Sequence, residues 1–124
     1  MENNKYMIGI DLGGTKIAAG VVDRTGKIIS RYTVPTNPRR NYTEIISDMA
    51  FAAEKACEIA GMPVDKMEGT DVGSPGTVDS ANGVVIYTNN INFDNTPMRS
   101  EMQKHIDLPV YISNDANCAA LGET

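Results

Sequence analysis

The sequence predicts an α/β domain on a mixed sheet, with three antiparallel N-terminal strands followed by alternating helices and strands. Three observations carry this. Apolar runs at residues 6–10, 17–22 and 27–34 are separated only by turns, as in a meander. A long helical repeat of apolar residues comes next, from Tyr42 to Ala60. Beyond it, strand and helix signals alternate to the end of the chain.

Each element has a local reason. Tyr6, Met7, Ile8, Gly9 and Ile10 form an apolar run ended by Asp11, the pattern of a buried strand. Gly13 and Gly14 turn the chain into the second run. Asp23-Arg24-Thr25-Gly26 is a turn signal, and the third run alternates weakly until Pro35 ends it. Residues 36–40 read as a loop, with Arg39 and Arg40 as a solvated pair. Asn41 and Glu44 have capping-box spacing, with Thr43 as a rival cap. Ile45, Ile46, Met49, Ala53, Ala56 and Cys57 recur at helical spacing, and Gly61 with Pro63 stops the helix. Residues 69–73 are a short strand, Ser74-Pro75-Gly76 a turn, and 83–87 another strand. Thr96-Pro97 reads as an N-cap and first-turn proline, opening a helix with Met98, Met102 and Ile106 on one face. Residues 109–113 are again a strand. Residues 116–123 begin a helix apolar enough to pack against something further on, so the chain is expected to be the N-terminal part of a longer protein.

At 124 residues the chain suits one domain. Hydrophobic residues make up 41%, but Trp is absent, so the core must rest on Ile, Val, Met and Ala. A formal charge of -5 argues against a dedicated nucleic-acid binder, which is usually basic. It leaves phosphate binding by loop geometry open. Cys57 and Cys118 lie in no Cys-x-x-Cys pair and no zinc spacing, so two buried thiols in a reducing compartment are expected. With no signal-peptide pattern and no apolar run of membrane-spanning length, a cytoplasmic protein without a membrane partner is expected. His105, the one histidine, reads as a solvated or capping residue late in a polar helix.

Four motifs carry the chemistry. Asp11-Leu12-Gly13-Gly14-Thr15-Lys16 lacks the Walker pattern and leads into a strand, not a helix. Its glycines still let backbone N–H groups approach an anion and tolerate positive φ. Thr15 adds a hydroxyl donor, Lys16 a positive charge, and Asp11 a carboxylate suited to hold Mg²⁺ through water. A plain Gly-Gly hairpin is the alternative, and Asp11 with the flanking apolar strands favours phosphate. Gly73-Ser74-Pro75-Gly76-Thr77-Val78-Asp79 can present backbone groups at a strand's C-terminal end; alone, it fits a plain loop better. Asn89-Asn90-Ile91-Asn92 gathers amides suited to vicinal sugar hydroxyls, although asparagine-rich turns also arise because Asn tolerates left-handed backbone. Asp115 comes after Ile112-Ser113-Asn114 at a strand end, where a carboxylate can take a proton from a hydroxyl attacking a γ-phosphate. Alone, it fits the N-cap of the next helix better.

These four motifs, in this order, resemble the N-terminal domain of the ROK family (repressors, open reading frames and kinases), most of all its bacterial glucokinase type. The resemblance rests on residues 8–16, 73–79, 83–85 with 90–93, and 108–110 with 114–123. Thr77, Phe93 and Cys118 depart mildly from the family pattern, at positions where Pro, Trp and Ala are usual. The resemblance implies a ribonuclease H-like, actin-like ATPase fold of two domains around a cleft. It implies that Asp115 is the general base on the sugar hydroxyl, that Asn114 and Asn90 bind the sugar, and that Gly76 touches it through its backbone. Asp11, Gly13, Gly14, Thr15 and Lys16 would face the phosphates of ATP and Mg²⁺. The second domain, with its glycine-rich nucleotide motif, further Glu and His sugar ligands and a Cys-rich zinc site, is absent from these residues, so zinc is expected only there. A homodimer is implied for the full-length protein, and near-inactivity for these residues alone.

The expected reaction is ATP-dependent phosphorylation of a hexose, glucose to glucose 6-phosphate first among them. A kinase for N-acetylmannosamine, fructose or allose is the rival. A sugar-sensing ROK regulator is another; these carry a helix-turn-helix ahead of the kinase-like domain, and the first strand already begins at Tyr6. A chaperone-like ATPase fits the Asp11 turn but not Asn114-Asp115.

Overall fold

Period-two alternation sets which face of the first three strands is apolar. In the computed structural model, which describes residues 5–114, β1 (Tyr6–Leu12) buries Ile8, Ile10 and Leu12, and β2 (Lys16–Asp23) buries Ile17, Ala19 and Val21 opposite them. β3 (Ile28–Pro35) completes the antiparallel meander. Helix α1 (Tyr42–Ala60) covers this face with Ile45, Ile46, Met49, Ala53 and Ala56, all fully buried. Ser30 Oγ donates to the Ala56 carbonyl at 2.6 Å, tying helix to sheet inside the core.

The C-terminal end of α1 obeys its sequence signal. The N-terminal end does so in part, because Asn41 caps it but, among the described residues, no Glu44 side-chain bond completes a capping box. The Asn41 side chain accepts the Thr43 N–H at 2.9 Å, so Asn41 is the cap and Thr43 a donor to it. At the other end Gly61, at φ +73°, donates to Glu58 O while Met62 donates to Cys57 O, which is a Schellman ending. Cys57 is buried, and burial, with Glu54 adding to it, pushes its thiol up to about 11.

A 3-10 turn (Val64–Lys66) leads to β4 (Thr70–Gly73), which pairs parallel to β1; β8 (Val110–Ser113) pairs parallel to β4. The sheet order is β3-β2-β1-β4-β8, the mixed sheet expected. Because β1, β4 and β8 run in one direction, their C-terminal ends meet at one edge.

Between β4 and β8 lies a second sheet that the sequence did not announce in full. It pairs β5 (Thr77–Asp79), β6 (Val84–Tyr87) and β7 (Asp94–Thr96) in that order. Only β6 was expected; β5 and β7 are three residues each and largely polar, with too little apolar alternation to register. This corrects the reading of Thr96-Pro97. Thr96 ends β7 and its hydroxyl accepts the Asp94 N–H, and Pro97 occupies the cap position of α2 (Met98–Gln103) without a side-chain bond. Met98, Met102 and Ile106 are buried as expected, and exposed His105 lies just past the helix. The helix expected at 116–123, with Cys118, lies outside the described residues. No helix among the described residues is long and apolar enough to cross a membrane.

Candidate active site

Three strand ends build the candidate site. The register sets Asp11, Gly73 and Ser113 side by side across β1, β4 and β8. The segments leaving these strands therefore project past the same edge, where open α/β sheets bind ligands. Asp11 is partly buried, and burial pushes its carboxyl above the usual range, with Lys16 partly offsetting this.

The glycine turn is tight. Gly13 N–H donates to Lys16 O at 3.0 Å. Thr36, fully buried just after β3, grips it from outside: its N–H donates to Thr15 O at 2.9 Å and its hydroxyl to Gly13 O at 2.8 Å. Neither Gly13 nor Gly14 has positive φ, which corrects that part of the expectation. Their reason is space. A Cβ on Gly13 would lie 2.9 Å from Lys16 O, and one on Gly14 would lie 2.9 Å from Asn90 Nδ2.

The left-handed glycine is Gly76, at φ +84°, where a Cβ would overlap the Tyr87 carbonyl oxygen. Asn114, first residue past β8, donates from Nδ2 to Gly76 O at 2.9 Å. Ser74 N–H donates to Ser113 O at 2.9 Å, locking the start of the same turn. Gly76 and Asn114, far apart in sequence, are thus joined directly.

The asparagine loop is rooted by its apolar partners. Thr88, Ile91 and Phe93 are buried, and Thr88 Oγ1 donates to Ile91 O at 2.5 Å. The alternation leaves Asn89, Asn90 and Asn92 exposed. They line a cleft of about 710 Å³ with Arg39, Tyr87 and Asp94. Asn90 packs against Gly14, so the amide expected for sugar and the turn expected for phosphate touch.

Sequence reasoning missed Thr36 and Arg40. Arg40 is no solvated side chain: its Nη2 lies 2.9 Å from Asp48 Oδ2 and donates to Thr36 O at 2.7 Å. Only the Asn37-Pro38 dipeptide, a turn signal, hinted at an ordered loop here. Asp115 lies outside the described residues, one position beyond Asn114. Among the described residues no cluster of three or more His, Cys, Asp or Glu gathers as a metal site. The side-chain-free turn at Gly13 and Gly14, beside the Asp11 carboxylate, fits a magnesium ion carried in on phosphate oxygens rather than one caged by protein.

Known proteins resemble this chain in sequence and fold. The ROK family pattern matches residues 7–124. The chain is 36% identical over 116 residues to the glucokinase of Streptomyces coelicolor, covering 94% of this chain and 34% of that one. It is 31% identical over 117 residues to the xylose repressor of Caldicellulosiruptor bescii, covering 94% of this chain and 29% of that one. The crystal structure of a ROK family glucokinase from Streptomyces griseus, in complex with glucose and AMPPNP, matches it with a TM-score of 0.80 and 38% identity, over 95% of this chain and 36% of that one. The chain thus spans 29–36% of the length of these relatives. Its mixed sheet is that of the actin-like ATPase fold of ROK kinases. With a pattern match over nearly all its length and the sheet to go with it, this chain belongs to the ROK family.

Proposed function

We propose that this chain is the N-terminal domain of a two-domain ROK sugar kinase, and that the full-length protein phosphorylates a hexose, glucose to glucose 6-phosphate, at the expense of Mg-ATP. The observation that carries this reading is the contact between Gly14 and Asn90, which puts a phosphate-type turn and a hydroxyl-type amide against each other at one sheet edge. The S. griseus glucokinase complex with glucose and AMPPNP supports the same pairing of ligands.

Bound Mg-ATP supplies the transferable phosphoryl group and the cation that offsets its charge. The residues of this chain do the rest. Gly13 and Gly14 keep the turn free of side chains so that its backbone can approach phosphate oxygens. Asp11, whose charge is disfavoured by burial, would gain from a dication nearby and would be the residue to hold it, through water. Lys16 and Thr15 complete the phosphate face. Asn90 and Asn114 each donate and accept, which matches the paired character of sugar hydroxyls, and the bond to Gly76 fixes the Asn114 orientation. Asp115, next to Asn114, takes the proton from the 6-hydroxyl as it attacks in line.

The 31% identity to a xylose repressor supports a second reading, in which sugar binds without chemistry. One experiment separates them: ATP-dependent turnover of glucose, N-acetylmannosamine, fructose and allose by the full-length protein, with Asp115→Asn alongside. The kinase reading expects turnover, and a loss of about 10²–10⁴-fold in kcat for the variant. A sugar that binds but never turns over makes the protein a sensor. The same proposal expects residues 1–124 alone to be nearly inactive. It also expects a full-length cytoplasmic homodimer with zinc in its second domain, which sedimentation and metal analysis check.

A further inference from the structure

We propose that residues 36–40 form a strap that sets the spacing between the glycine turn and the asparagine loop, with Arg40 as its positioning residue. This rests on reading the cleft as a joint sugar and nucleotide site. The first end of the strap holds the phosphate side. Thr36 donates to both Thr15 O and Gly13 O, and it is fully buried, so it cannot move without them. The far end holds the sugar side. Pro38 O accepts the Asn92 N–H at 3.0 Å, and Arg40 O accepts Asn92 Nδ2 at 3.2 Å, a link across 52 residues of sequence. The glycine turn and the asparagine loop beside the cleft both hang on five consecutive residues.

One residue of the strap has an uncommon backbone. Asn37 has φ +48°, a left-handed value that asparagine tolerates better than most residues. Such outliers persist when their surroundings over-determine them. Here the surroundings are the Arg40 guanidinium, the Arg40 N–H on Asn37 O at 3.3 Å, and the Asn92 bonds to Pro38 O and Arg40 O. Arg40 donates from Nε to Asn37 O at 3.2 Å and from Nη2 to Thr36 O at 2.7 Å, and it pairs with Asp48 on α1 at 2.9 Å. Three acceptors in different directions suit the rigid fork of arginine and not the single ammonium of lysine. The ion pair anchors the strap to the helix that packs the core, so the spacing of turn and loop is referred to that buried helix.

A positioning strap and a merely stabilising one differ in what they move. Glucose and Mg-AMPPNP are titrated separately into the full-length protein by calorimetry, with thermal midpoints alongside. A wild-type protein that binds neither overturns the kinase reading and the strap with it; one that binds both leaves the variants to decide the strap alone. Arg40→Ala is expected to weaken both ligands by about fivefold or more. Arg40→Lys is expected to recover only part, since it keeps the charge toward Asp48 but loses the fork. Asp48→Asn lies outside the cleft and touches no ligand, yet it is expected to weaken both by about twofold, less so at high salt because the pair is partly exposed. Weakening of one ligand only, or a lowered midpoint with both affinities intact, overturns the proposal. If Arg40→Ala fails to fold, Asp48→Asn decides by the same criteria.

Discussion

Gly76→Ala isolates the demand for a close backbone approach in the candidate site. Two costs apply. At φ +84° an L-residue is left-handed, which costs roughly 1–2 kcal/mol. The new Cβ also meets the Tyr87 carbonyl oxygen, with Thr88 Cγ2 at 2.9 Å and Thr88 Cα at 3.1 Å. Tyr87 pairs with Thr77 in the small sheet, so its carbonyl cannot step aside cheaply. Crowding of this kind adds about 1–3 kcal/mol. Gly26 supplies the control: its φ is +91°, nearly the same, but a Cβ there meets nothing within 4 Å. Gly26→Ala should therefore show the backbone cost alone. Urea unfolding of the full-length protein, monitored through the transition that includes this domain, reads both. The difference between the variants, about 1–3 kcal/mol, is the steric part. Equal costs would refute the close-approach argument. Function separates them as well. Gly76→Ala shifts the carbonyl that orients Asn114 and should raise the KM for sugar, whereas Gly26, in the β2–β3 turn at the opposite edge, should leave it unchanged.

Three further outcomes are expected. Gly14→Ala should cost less than about 1 kcal/mol in urea unfolding, because the new methyl meets only the movable end of Asn90, yet it should weaken sugar binding measurably by calorimetry. Asp11→Asn should abolish turnover while stabilising the unliganded protein at neutral pH. Since the folded carboxyl is raised above its ordinary 3.8, ionised Asp11 is a net cost at higher pH and neutral below 3.8, so the gain should vanish as the thermal midpoint is tracked into acid; a variant less stable than wild type at pH 7 contradicts this. Cys57, buried with its thiol pushed up to about 11, should stay unmodified by a disulfide reagent at pH 8 until urea unfolds the domain, as read by mass mapping of the peptide that carries it.

The sequence makes legible whatever is locally encoded. The meander, the span of α1, its Asn41 and Gly61 caps and the strands at 70–73 and 110–113 all come from periodicity and caps read over a few residues. The site motifs are legible for the same reason, because each is a short run at a strand end. Their junctions are not. Asn90 reaches Gly14, and Asn114 reaches Gly76, through sheet pairings that no local pattern specifies. β5 and β7 stay hidden because they gain their order from β6 beside them rather than from their own residues. Arg40 misleads because an arginine in a polar loop looks solvated until its acceptors, supplied by backbone, are in place.

The three glycines of the site carry one letter and three different constraints. Gly13 is small because a backbone carbonyl, Lys16 O, stands where its Cβ would be. Gly76 is small for that reason and for its left-handed backbone. Within the fold, what stands where a Gly14 Cβ would be is a side chain, Asn90. A side chain at the first two must deform the fold, since their obstacles are backbone. A side chain at Gly14 need only turn an amide. Stability therefore guards Gly13 and Gly76, whereas ligand binding alone guards Gly14. If the cleft joins sugar and nucleotide as proposed, Gly14 is the position where their mutual fit can change without loss of the folded domain.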